Sequence, residues 1–271
     1  MDPGAEKMPA SGQSAERDRR PQLPGLGPET LRDFRRPDET AIRSVIPNRR
    51  PIMKDLMFFD ANCRIGRYYN GGPGAENAAA LLREMDYFGV DKALVCNINL
   101  DKGPLATNKT LAAMLKEDPE ERLTGVWCIL PSQCDELPEP DVFFRQMKEN
   151  RIGAITLSPF EHRYVPCRLT LGKIMDAAAE RRIPVLLNAF AGKWQDLYKF
   201  VAEFPRNVLI FQEAVGKWGN DRYFRPLLEN YENFYFGTSG YWVPEGIRDL
   251  AERYGAQRIL FASGFPGYDQ G

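Results

Sequence analysis

Phe58-Phe59-Asp60-Ala61-Asn62-Cys63-Arg64-Ile65-Gly66 runs from two aromatics into polar residues at every second position and stops on a glycine. Side chains alternate along a strand, so this spacing predicts Asp60, Asn62 and Arg64 on one face. An apolar approach that ends in inward polar groups is how a buried strand of an α/β protein delivers chemistry to its carboxyl end.

Outward from that stretch, strand and helix signals alternate to the end of the chain. After a glycine-rich loop (Gly71, Gly72, Gly74), residues 76–88 carry Ala79, Leu82, Met85 and Phe88 at helical spacing, and Gly89 closes the helix as a C-cap. Residues 90–97, 123–130, 153–157, 184–188, 207–211, 234–237 and 258–262 read as seven further strands. Helical patterns fill 107–117, 141–150, 171–181, 194–204, 222–230 and 244–254 between them. Strands that are continuous apolar runs between helices imply a parallel sheet covered on both faces. Eight of them, each but the last followed by a helix, favour a TIM-type (β/α)8 barrel over an open doubly wound sheet. The chain stops at Gly271, where a barrel would supply a closing helix. The expectation is a barrel lacking its last helix, the sequence stopping short; the alternatives are a flank covered by the N-terminal tail or by a second subunit, so a homo-oligomer is one expected partner state.

The chain has 271 residues, 36 basic and 37 acidic, with a formal charge of -1 and 43% hydrophobic content. That balance supplies a core and sets up no field towards nucleic acid or an anionic membrane. No apolar run reaches the length of a membrane span, and residues 1–30 lack the apolar core of a signal peptide. Residues 1–52 differ from the rest: eight prolines and Arg pairs at 19–20, 35–36 and 49–50 punctuate a polar segment. It has too little apolar surface to offset ordering entropy, so a disordered tail is expected at 1–52 and a folded barrel at 53–271. The Arg pairs read as a solvated tail rather than a nucleic-acid contact, and Met53 is a second candidate start. The five cysteines show no C-x-x-C spacing, which fits a reduced, cytoplasmic protein with structural thiols. His162 is the one histidine, and counting alone excludes any mechanism that needs a histidine cluster.

Four segments resemble the amidohydrolase superfamily, in the branch of metal-dependent hydrolases, lactonases and aminocarboxymuconate-semialdehyde-type decarboxylases. They are Phe59-Asp60-Ala61-Asn62-Cys63-Arg64-Ile65-Gly66; Leu81-Leu82-Arg83-Glu84-Met85-Asp86-Tyr87-Phe88-Gly89-Val90-Asp91-Lys92-Ala93; Arg182-Ile183-Pro184-Val185; and Gly255-Ala256-Gln257-Arg258-Ile259-Leu260-Phe261-Ala262-Ser263-Gly264-Phe265-Pro266. The resemblance implies a barrel and a hydrolase or carbon–carbon lyase. It also implies a metal bound by D-A-H-x-H on the first strand, where this chain has Asn62 and Arg64. The family's strand-five histidine corresponds to Asn188, its strand-six histidine falls near Gln212 or Glu213, and its strand-eight aspartate corresponds to Gly264. An amide is a poor transition-metal ligand and a guanidinium cannot be one. No metal and no other cofactor is therefore expected.

Asn62, Arg64, Asn188 and Gln212 remain as polar groups expected to converge on the barrel mouth. Buried without partners, each would cost about 1–3 kcal/mol. One reading gives them a small anionic metabolite, with Arg64 forking a carboxylate and the amides completing the shell. The other has Arg64 paired internally with Asp60 or Glu213. His162, in the loop after strand four, and Glu213 are the candidates for proton transfer, although a lone loop histidine is commonly an ordinary surface residue. Trp218 and Trp242 could wall a pocket for a flat ligand or pack under long loops. Cys63 alternates towards the helices and reads as structural. The functional expectation is an amidohydrolase-related barrel, metal-independent, with a carboxylate pocket at its mouth; the alternative is a pseudoenzyme or truncated relative that binds without turnover.

Overall fold

The structure, a computed structural model, describes residues 56–67, 74–212 and 220–267. All of them fall in one of the chain's two units, Leu56–Gly271. The tail expected at 1–52 lies outside the described residues. Fifteen elements follow one another as β1 (Phe59–Ile65), α1 (Ala78–Phe88), β2 (Lys92–Asn97), α2 (Pro104–Leu115), β3 (Leu123–Cys128), α3 (Pro140–Glu149), β4 (Ile152–Thr156), α4 (Arg168–Glu180), β5 (Val185–Leu186), α5 (Trp194–Glu203), β6 (Leu209–Phe211), α6 (Asp221–Asn230), β7 (Phe234–Gly237), α7 (Gly246–Tyr254) and β8 (Ile259–Leu260).

The helices begin and end where local chemistry allows. Asn77 caps α1 by accepting Ala80 N–H at 2.9 Å, and Gly89 ends it in the left-handed conformation that a side chain would resist. Two helices start three residues before the apolar pattern predicts. Pro104 opens α2, where a missing N–H costs nothing, and Cys167 with Thr170 forms a capping box ahead of α4.

The eight strands form one parallel sheet in sequence order. It closes on itself through the segment after β8: Ala61 N–H donates to Phe261 O at 2.9 Å, Gly264 N–H to Asn62 O at 3.0 Å, and Arg64 N–H to Phe265 O at 2.9 Å. The result is the TIM-type barrel that the sequence predicts. On the outer side of that seam Phe261 is exposed, as are Leu56 and Met57 at the start of the described chain.

Two apolar layers hold the barrel. The outer one, between sheet and helices, includes Cys63, Ile65, Ala93, Val95, Trp127, Ile155, Phe211, Phe234 and Phe236. The inner one fills the barrel with Leu94, Cys96, Val126, Ala154, Leu186 and Ile210, flanked by Tyr235 and Leu260. Alternation then puts Cys128, Asn188 and Gln212 on the inner face, at the carboxyl ends of β3, β5 and β6. This mouth is the end at which α/β barrels carry their sites.

One expectation fails. Asp60, Asn62 and Arg64 do not share a face, because β1 carries a bulge between Asp60 and Cys63. Asp60 is in register with Ala93 of the outer layer and Arg64 with Cys96 of the inner layer. An extra residue breaks the period of two, which a count along β1 alone cannot reveal.

Candidate functional site

The bulge divides the polar residues of β1 between two tasks. Asp60 is fully buried and holds the seam: its carboxylate accepts Ser263 N–H at 2.9 Å, Asn62 N–H at 3.0 Å and the Cys63 thiol at 3.1 Å. Asn62 and Arg64 continue into the mouth. Fixing Asp60 to backbone amides on both sides of the closure makes the rim rigid where Asn62 leaves it.

From Asn62 a chain of side chains crosses the mouth. Asn188 Nδ2 donates to Asn62 Oδ1 at 3.4 Å, Asn62 Nδ2 donates to Ser239 Oγ at 2.9 Å, and Ser239 Oγ donates to Ala262 O at 3.1 Å. Four strand ends are thereby tied together, those of β5, β1, β7 and β8. Gln212 makes a second crossing. Its Nε2 donates to Ala61 O, one residue from Asn62. Gly237 makes that reach available: a Cβ there would sit 2.9 Å from Gln212 Cγ and 3.2 Å from Ala262 Cβ. Asn62, Gln212 and Ser239 are buried, and Asn188 is half-buried. Two atoms of this network have no hydrogen-bond partner, Asn188 Oδ1 and Gln212 Oε1.

His162 meets the rim from the loop after β4. Its backbone N–H donates to Ser158 O at 2.9 Å, and its Nδ1 lies 3.9 Å from Cys128 Sγ on the inner face of β3. The buried Nε2 has no partner. Burial pushes the Cys128 thiol up to about 12, with Cys96 beside it adding in the same direction, so at neutral pH this sulfur is a thiol and not a nucleophile. In the same loop burial raises the Tyr164 phenol, whose hydroxyl donates to Ile129 O at 3.4 Å.

The structure thus brings Asn62, Asn188 and Gln212 together, sets Arg64 half-buried on the inner face above Cys96, and seats His162 against the rim. Trp242 is 71% exposed. Glu213 and Trp218 lie outside the described residues. The sequence reading names Ser239 only within the loop Thr238-Ser239-Gly240-Tyr241-Trp242 as a possible pocket wall and gives Gly237 no role, although a count of alternate residues along β7 from Tyr235 reaches both.

A divalent transition metal needs imidazole, thiolate or carboxylate donors. No group of three or more His, Cys, Asp or Glu side chains placed to hold one occurs among the described residues. Among the described residues the mouth brings together the amides of Asn62, Asn188 and Gln212, the Ser239 hydroxyl and the Arg64 guanidinium, with His162 and Cys128 at its rim. No helix among the described residues is long and apolar enough to cross a membrane.

The family model described as Amidohydrolase matches residues 64–271. No curated protein matches. Solved structures share the fold at low identity. The 2,6-dihydroxybenzoate decarboxylase from Rhizobium has a TM-score of 0.58 at 12% identity, over 79% of this chain and 90% of that one. A probable 2-pyrone-4,6-dicarboxylic acid hydrolase from Acinetobacter baumannii, with citric acid bound, has a TM-score of 0.59 at 14% identity, over 78% and 85%. The 5-carboxyvanillate decarboxylase from Novosphingobium aromaticivorans, complexed with manganese and 4-hydroxy-3-methoxy-5-nitrobenzoic acid, has a TM-score of 0.53 at 14% identity, over 80% and 88%.

Proposed function

The chain belongs to the amidohydrolase family, and from that premise we propose that it binds a small carboxylate at the barrel mouth without a metal held by histidines. The observation that carries this reading is the convergence of Asn62, Asn188 and Gln212 on the inner rim, on the same face as Arg64. A barrel that packed its mouth for stability alone would fill it with apolar side chains, because an unsatisfied buried polar group costs about 1–3 kcal/mol. The guanidinium of Arg64 carries five N–H donors in a fork that matches a carboxylate. The acids bound in two of the similar structures, citric acid and a nitrobenzoic acid, support a carboxylate in this place.

In this reading Arg64 holds the acid and the amides fix the ligand's orientation. Rim contacts through Asp60 keep the donors in place before the ligand arrives, so little of the binding free energy goes into ordering them. His162 brings an imidazole to the rim, and proton transfer at its Nε2 is the step it offers. A second reading, binding without turnover, is favoured by the Gln212 crossing, which occupies the inner face between β6 and β1 with a group that cannot move protons at neutral pH.

A thermal-shift series with acetate, benzoate, succinate and citrate tests the proposal. At least one acid is expected to raise the melting temperature of the native chain, and Arg64→Ala is expected to abolish that rise. An unchanged shift in Arg64→Ala would remove Arg64 from the site, and no shift with any acid would sink the carboxylate. Following the stabilising acid by NMR over hours in the presence of protein separates turnover from binding.

A further inference from the structure

Among the described residues the ring nitrogens of His162 meet one polar group: Cys128 Sγ lies 3.9 Å from Nδ1, and the buried Nε2 meets none. Which nitrogen carries the proton of a neutral imidazole is set by what its neighbours give or take. The Cys128 thiol has one hydrogen and two neighbours in line for it, Ile129 O at 3.8 Å and His162 Nδ1 at 3.9 Å. A carbonyl oxygen accepts and never donates. If the thiol gives to Ile129 O, the sulfur turns lone pairs towards Nδ1, Nδ1 brings its own N–H, and Nε2 is left as a bare lone pair. If the thiol gives to Nδ1 instead, the ring hydrogen sits on Nε2, a buried N–H with nothing to donate to. Orphaned buried N–H groups are rarer than under-satisfied acceptors, which favours the first arrangement. Burial keeps the Cys128 hydrogen in place at neutral pH, so it stays available to Ile129 O.

The loop holds the ring in this pose. His162 N–H donates to Ser158 O at 2.9 Å, Tyr164 N–H to Pro159 O at 3.0 Å, and the Tyr164 hydroxyl to Ile129 O at 3.4 Å. Phe160 of the same loop stands edge-on to Phe190, with 6.0 Å between ring centroids, and Lys193 Nζ lies 4.4 Å from the Phe160 centroid. Between these ties Arg163, next to His162, has φ 59°, a left-handed conformation that a side chain resists. Backbone strain of this kind persists only where the surroundings over-determine it, and it collects at functional sites.

We propose that Cys128 is a positioning residue for His162: its sulfur accepts the Nδ1 hydrogen and so leaves Nε2 as the unprotonated ring nitrogen. This rests on the reading of His162 as the proton-transfer group and deepens it by fixing the direction. Nε2 starts as a base. It takes a proton from the ligand, which is left one proton poorer, and the ring then carries both hydrogens with Nδ1–H still on the sulfur. A buried thiol that is itself no nucleophile thereby acquires a task.

His162 is the one histidine, so isotope-labelled histidine incorporated into the full chain gives the signals of this ring alone. A long-range proton–nitrogen correlation spectrum is recorded above the pH at which the ring shifts stop changing, where the neutral form is read. The native chain is expected to show Nδ1 in the shift range of a protonated ring nitrogen and Nε2 in that of an unprotonated one. An exposed neutral histidine shows the reverse preference. Cys128→Ala, which removes the sulfur, is expected to move the hydrogen towards Nε2. Cys128→Ser, which keeps lone pairs for Nδ1 and a hydrogen for Ile129 O, is expected to retain more of the native pattern.

A native chain with its ring hydrogen on Nε2 would overturn the proposal, and this spectrum decides the matter even if the alanine variant does not fold. A folded Cys128→Ala with the native pattern would overturn it too. Both readouts are taken without ligand, so neither depends on whether a carboxylate binds. A stabilising acid that leaves the Nε2 signal unmoved would instead overturn His162 as the proton-transfer group, with the tautomer standing.

Discussion

Gln212 reaches the Ala61 carbonyl by passing over Gly237, and a Cβ at 237 would lie 2.9 Å from Gln212 Cγ and 3.3 Å from Gln212 Cα. Because one of these atoms belongs to the backbone, the side chain cannot clear the clash by changing rotamer alone. Gly237→Ala is expected to cost about 1–3 kcal/mol of stability, the usual range for overpacking a filled interior. Urea denaturation measures it. Adding Gln212→Ala removes the nearer contact, so the two changes should be less damaging together than the sum of their separate effects, and strict additivity would show that Gly237 has no bearing on Gln212.

Asp60 works on the other side of β1. Its carboxylate receives Ser263 N–H and Asn62 N–H within a wholly buried stretch of the closing seam. Asp60→Ala leaves two buried backbone donors unmet, at about 1–3 kcal/mol each. Thermal denaturation should show a loss near the sum of the two, and Asp60→Asn, which keeps one acceptor oxygen, a smaller one. An alanine variant as stable as the native chain would mean that the seam does not depend on this carboxylate.

Cys128 ties stability to pH. Its thiol ionises at about 9 when unperturbed and is pushed up to about 12 by burial. Between those values the unfolded chain has released a proton that the folded chain still holds, so folding becomes less favourable as pH rises. The contribution is fully present below pH 9 and falls by about 1.4 kcal/mol per pH unit above it, until the folded state also ionises. Denaturation at pH 8.5, 10 and 11 should show a steeper loss in the native chain than in Cys128→Ala. Parallel slopes would contradict the buried-thiol account.

The same burial governs reactivity. Cys134 is exposed, whereas Cys63, Cys96 and Cys128 are buried and no disulfide links the five cysteines. Iodoacetamide at pH 8 should label Cys134 in the folded protein and leave those three untouched until denaturant is added. Mass spectrometry of the labelled peptides reads this directly, and labelling of Cys128 at the rate of Cys134 would show that the mouth opens to solvent.

The barrel was legible because it rests on repetition: eight apolar runs separated by helical patterns survive errors of a few residues at every boundary. Helix starts at Pro104 and Arg168 fall ahead of the apolar pattern because capping is local and a cysteine cap carries no familiar signature. Asn188 and Gln212 could be placed at the mouth because they follow the apolar strands β5 and β6 at the parity of Leu186 and Ile210. Asp60 could not, because the bulge between Asp60 and Cys63 changes that parity, and its cause is the register against β2 rather than the composition of β1. The direction of the hydrogen-bond chain was hidden for a related reason. It is decided by the carbonyls of Ala61 and Ala262, backbone atoms whose place a sequence does not display.

Elemental analysis of the chain purified without chelator tests the central claim most directly, that this amidohydrolase barrel carries an amide and guanidinium binding site in place of a metal centre. The account predicts zinc, manganese and iron far below one equivalent per chain, with no change in melting temperature after dialysis against EDTA. One equivalent of zinc or manganese that EDTA removes with a fall in melting temperature would contradict it.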